Sequence, residues 1–175
     1  MQFLITSEDK KIAHWASAAV ILSVMDAAIP TPLPGVKPGI ANIVTLLVFW
    51  QFGFRAMLWV MLLRIFASSL ILGYFLAPGF FLSLAGGVFS ALALGLFKHL
   101  PRHYFGAVSF SILAAWAHIL GQILLARLWL IPHNGVFLML PFFWASALFF
   151  GTLNGLIVAH FLNKINLNLN KKNKI

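Results

Sequence analysis

Long unbroken apolar runs constrain this chain more than any other feature. No side chain between Ile65 and Phe97 is charged, and none between Leu128 and Asn163. Runs of that length exceed what a small soluble core can hide, since domains of this size bury only about 70% of the surface their chains expose. They are long enough to cross a hydrocarbon layer, which takes about 20 apolar residues in a helix. Composition agrees. Of 175 residues, 62% are hydrophobic and 9% charged, against about 25% charged in ordinary soluble domains. These values exclude a soluble enzyme, a disordered chain and a DNA-binding domain. A membrane β-barrel is disfavoured because its strands alternate polar and apolar residues. The expected fold is all-α, a polytopic membrane bundle of about six transmembrane helices.

The runs place spans at about 12–29, 38–52, 54–76, 80–97, 105–131 and 136–162. The first is read as a retained helix rather than a cleaved leader, because it is long and acids precede it. The segment PTPLPGVKPG (30–39) holds four prolines and two glycines, so it breaks the helix. The second span is short and is expected to be thin, tilted or partly re-entrant. Pro78 closes the third span, Pro132-His133-Asn134-Gly135 turns the chain after the fifth, and Pro141 lies near the start of the sixth. Residues 1–163 read as one six-helix domain, and 164–175 as a basic, flexible tail.

Charge sets an orientation. The chain has 12 Lys and Arg but three acids, Glu8, Asp9 and Asp26. In the six-span layout Lys10, Lys11, Arg55, Lys98, Arg102, Lys164, Lys171, Lys172 and Lys174 share one side, and Lys37 alone lies on the other. Basic loops stay in the cytoplasm, so both termini are expected there, with anionic lipid headgroups beside the basic loops. Trp15, Trp50 and Trp129 fall near the expected interfaces.

Arg64 and Arg127 remain inside spans, where charge is costly and calls for a reason. Arg64 follows Arg55 by nine positions, about 14 Å along a helix and close to the midplane. It either bonds carbonyls of a kinked neighbour or faces an anionic ligand. Arg127 is expected to snorkel outward. Asp26 lies one turn from the outer end of the first span, and Lys37 follows the Pro-rich segment. They either pin that segment by a salt bridge or line an outward-facing site. Asn42 sits one turn into the second span. His118 and Gln122, four apart, share a helix face and serve either interhelical bonding or a ligand. Asn154 reads as helix–helix glue. The candidate ligand-binding residues are therefore Asp26, Lys37, Asn42, Arg64, His118 and Gln122, a cluster suited to a small solute with an anionic group and an apolar body. Ala13, Ser17, Ala19 and Ser23 offer small-residue spacings for close helix packing, within the chain or against a partner. Gly86-Gly87 and Gly151-x3-Gly155 suggest further close approaches.

Three acids cannot build the carboxylate cluster that holds Mg²⁺ for diphosphate chemistry. There is no phosphate-binding loop for ATP and no zinc-type His/acid pattern, and with no cysteine there is no thiolate chemistry. Catalysis by this chain alone is not expected, nor are a metal, a cofactor or a nucleic-acid partner.

The stretch PLPGVKPGIANIVTL (32–46) with FGFR (52–55), and then LLRIFASSL (62–70), FLSLAGGVFSAL (81–92) and AHILGQ (117–122), resembles the heptaprenyl diphosphate synthase component I family, also labelled the Gx transporter family. The likeness covers roughly residues 12–160. Ala56 stands where many members are expected to carry an acid, and the tail is idiosyncratic. Members are similar in layout to the six-helix substrate-binding S components of energy-coupling-factor transporters. That implies a bacterial inner-membrane subunit that binds a vitamin-like solute and docks on a T subunit with two ATPases, with the small-residue face of the first span toward that subunit. The other family label implies a non-catalytic membrane partner of a prenyl diphosphate synthase catalytic subunit in quinone biosynthesis. Under either label, the block around Lys37 and Asn42 is implied to be the family-defining site.

Overall fold

The computed structural model describes residues 6–30, 38–100 and 105–172, which are helical with no strand among them. Six α-helices follow in order: α1 (Ser7–Ala28), α2 (Ala41–Phe52), α3 (Phe54–Ile71), α4 (Pro78–Phe97), α5 (Ala107–Leu125) and α6 (Leu140–Lys172). A π-helical turn (Ala126–Leu130) prolongs α5, and a 3-10 turn (Asn134–Met139) leads into α6.

Local chemistry explains most boundaries. Thr6 caps α1, accepting from the Asp9 amide while the Asp9 carboxylate accepts from the Thr6 amide. The Thr6 hydroxyl, donating to the Asp9 carboxylate at 2.7 Å, and then the Thr6 amide hold that carboxyl below its ordinary range. A single residue, Gly53, separates α2 from α3. Its φ of 86° is a conformation that costs glycine little and other residues more, and it permits the abrupt reversal. Gly73, with φ 73°, stops α3 at Ile71, short of the expected 76. Pro78 opens α4 at the first helical position, where its missing N–H removes no bond. At the far end α6 runs on to Lys172, where the sequence reading placed a flexible tail. Neither Gly nor Pro occurs after Gly155 to stop it.

Four helical stretches are long and apolar enough to cross a membrane: Phe54–Ile71, Pro78–Phe97, Ala107–Leu130 and Asn134–Ile165. Helix α2 is different. With 12 residues it reaches only about 18 Å, and Ala41 and Ile43–Phe49 are buried. A helix apolar on all sides is stable when surrounded, and α2 contacts α1, α3 and α6. It is the core helix of the bundle.

The helices run up and down. Lys11 lies 6.0 Å from the Phe52 ring and Lys98 lies 5.4 Å from the Phe54 ring, gathering the start of α1, the α2–α3 junction and the end of α4 at one basic end. Phe81 meets Trp129 at the opposite end, with ring centroids 5.2 Å apart. Small residues set the closest helix approaches. A Cβ on Gly121 would lie 2.7 Å from the Ala85 carbonyl oxygen, so α5 sits directly on α4. On α6, a Cβ at Gly155 or Gly151 would fall 2.6 or 3.1 Å from the Cα of Val108 or Ile112 of α5. The anticipated glycine pairs are thus true contact points.

The small-residue face of α1 divides. Ala19 is fully buried, whereas Ala13 and Ser17 are exposed and Ser23 is half-buried. At about 100° per residue, the pairs 13/17 and 19/23 point about 120° apart. Ala19 packs inside the bundle, and Ala13 and Ser17 stay open on the outside of α1.

Candidate functional site

Polar side chains from four helices surround one cavity inside the bundle. Asn42 and Thr45 reach it from α2, three apart on one face. Arg64 comes from α3 with Met57 and Met61, Ser90 from α4 beside Gly87, and His118 from α5. The spacing on each helix is that of a single face, so the helical periodicity itself brings these groups together. The cavity offers about 20 Å³, which is room for one water-sized group.

Arg64 is its centre. The side chain is only 9% exposed and has given up its hydration. The strongest favourable charge acting on it is the Asp26 carboxylate of α1. Asp26 is itself buried. The Nε of Arg64 is buried with no hydrogen-bond partner among the described residues. A buried N–H of a cation that is not hydrogen-bonded costs free energy, so this atom is a donor awaiting an acceptor.

His118 stands against α4. A Cβ on Gly86 would lie 2.6 Å from the His118 ring, so only glycine there lets the imidazole occupy its place beside the cavity. Gly87 does the same for α3, since a Cβ there would meet Ile65 at 2.9 Å and the Met61 sulfur at 3.2 Å. Two hydroxyls are already committed as donors. Ser90 donates to the Ala114 carbonyl at 2.7 Å and Thr45 to the Ala41 carbonyl at 3.4 Å. Their oxygens still offer lone pairs.

Asn154 of α6 ties down the start of α2. Its amide donates to the carbonyls of Pro38 at 3.0 Å and Gly39 at 3.3 Å. It is glue, as read from sequence, but between a helix and the backbone ahead of another helix. Arg127 donates from Nε to the Asn134 side-chain oxygen at 2.9 Å, bracing the turn between α5 and α6.

Of the six residues singled out from sequence, Asn42, Arg64 and His118 meet at the cavity. Asp26 acts on Arg64 from α1 rather than lining the cavity. Gln122, half-buried, lies one turn beyond His118 and outside the lining. Lys37 lies outside the described residues. Thr45 and Ser90 went unrecognised. Thr45 carried a usable signal, lying three residues from Asn42 on the same helix face. Among the described residues, no three His, Asp or Glu side chains come close enough to hold a metal ion.

The fold and this interior define a class: a polytopic helical membrane protein whose bundle encloses a cavity edged by polar side chains, with a single lining cation among the described residues. The family model for heptaprenyl diphosphate synthase component I matches residues 15–161, and the chain belongs to that family. Comparisons with curated proteins and with solved structures gave no match.

Proposed function

We propose that this chain is a non-catalytic, substrate-binding membrane subunit that captures a small organic solute with an anionic group for uptake, energised by separate subunits. The observation that carries this reading is the convergence of Arg64, Asn42 and His118, from three helices, on one buried cavity. An intramembrane cation with an unsatisfied donor is a costly feature that a purely structural bundle has no need to keep. The solute enters from the face opposite the basic end, and a T subunit with two ATPases supplies the energy. The cavity as it stands admits only a terminal group of the solute, so full capture requires helix movement. The test is Arg64→Ala: the variant inserts at normal levels but loses solute uptake in cells, and undiminished uptake would sink the reading.

The family's description favours a second reading, a membrane component of a prenyl diphosphate synthase. An apolar pocket of about 320 Å³ between α4 and α5, lined by Phe97, Phe105, Phe110 and Trp116 among others, has the character a prenyl chain requires. Proteins co-purifying with a tagged copy from native membranes separate the two. A T subunit with its ATPases supports uptake, and an aspartate-rich prenyl synthase supports the second reading.

A further inference from the structure

The cavity restricts what kind of group it can receive. Its size admits one compact polar group. One lining group can only donate, the Arg64 guanidinium. Arg64 Nε is buried and has no hydrogen-bond partner among the described residues, and the Asn42 amide, whose NH2 can donate as well, shares the lining. The hydroxyl protons of Ser90 and Thr45 are held by backbone carbonyls. Charge is limited as well. Arg64 is the one cation among the described lining residues, and the Asp26 carboxylate already acts on it more strongly than any other charge. A group carrying two or three negative charges would be left largely uncompensated in a buried place, which is prohibitive. A diphosphate fails on charge and on volume.

We infer that the cavity receives a single sp2 oxygen acceptor, a carboxylate or an uncharged carbonyl, from a ligand whose body lies outside it, and that it rejects phosphate and diphosphate groups. This rests on the cavity being the ligand site. Arg64 Nε and the Asn42 amide donate to the oxygen, and Met57 and Met61 form the apolar wall beside it. Position 86 belongs to the same device, since only glycine there leaves the His118 ring room against α4.

The test is thermal unfolding of the purified full chain in detergent, at fixed pH and matched ionic strength. Acetate, acetamide and inorganic pyrophosphate are compared at equal concentration. Arg64→Lys keeps the charge and removes the Nε donor, and Asn42→Ala provides a second, milder variant should the first fail to fold. Acetate or acetamide raises the midpoint by about 2 °C or more, and the rise shrinks in either variant. A response to acetate alone assigns a carboxylate, and a response to acetamide assigns an uncharged carbonyl. A rise with pyrophosphate that depends on Arg64 or Asn42 overturns the inference while leaving the cavity as a ligand site. No rise that depends on either residue, with any probe, overturns both.

Discussion

A guanidinium at mid-depth loses its hydration, and only counter-charges and fixed dipoles offset that loss. In this bundle Asp26 provides the main counter-charge to Arg64 from a different helix. Removing it leaves a buried cation with less compensation. Asp26→Asn is therefore expected to destabilise the protein by about 3 kcal/mol, read as the thermal unfolding midpoint in detergent, and Asp26→Asn with Arg64→Met is expected to recover most of the loss. A double variant no more stable than the single one would show that the two charges are not coupled. The His118–Gly86 contact gives a second test. Gly86→Ala places a methyl group where the imidazole lies, a cost of about 1–3 kcal/mol for overpacking. In a His118→Ala background the same change is expected to be close to neutral, and equal costs in both backgrounds would contradict the contact. Arg64 was legible in the sequence because an intramembrane charge is conspicuous wherever it falls. Its partnership with Asp26 was not, because it joins helices far apart in the chain.

Helices were legible wherever an apolar run met a proline or a polar turn, because backbone satisfaction in lipid leaves a helix as the default. An apolar run does not say whether lipid or protein surrounds it, however. Hence α2, read as a short span, is the buried core helix. The small residues of α1 divide for a related reason: spacing alone does not say which face the fold buries, and here Ala19 is buried while Ala13 and Ser17 are exposed. The glycines of α4 and α6 were better guides, since paired glycines leave room only for a neighbouring helix. At this scale Asn154 is the testable residue. Its two bonds to the carbonyls of Pro38 and Gly39 fix the start of α2 against α6. Asn154→Ala is expected to cost about 1–2 kcal/mol. It should also raise hydrogen exchange selectively in the first turn of α2, measured by mass spectrometry. Exchange that rises equally in all helices would instead indicate a general loss of packing.

The whole molecule exposes large apolar side chains along its length, among them Leu96, Leu128, Leu138 and Phe149, on a scale that lipid rather than water accommodates. Its asymmetry of basic residues predicts which end faces the cytoplasm. The chain contains no cysteine, so single introduced cysteines report without background. Lys98→Cys is expected to react with an impermeant maleimide only after cells are opened, and Asn134→Cys in intact cells. The reverse pattern would invert the orientation and with it the face from which a solute enters. The central claim is that the cavity around Arg64 binds a ligand. It is tested most directly by small-molecule mass spectrometry of the wild-type protein and Arg64→Ala, purified side by side from native membranes. The account predicts a carbonyl- or carboxylate-bearing compound retained by the wild type and missing from the variant. Identical small-molecule profiles from two equally well-folded preparations would contradict it.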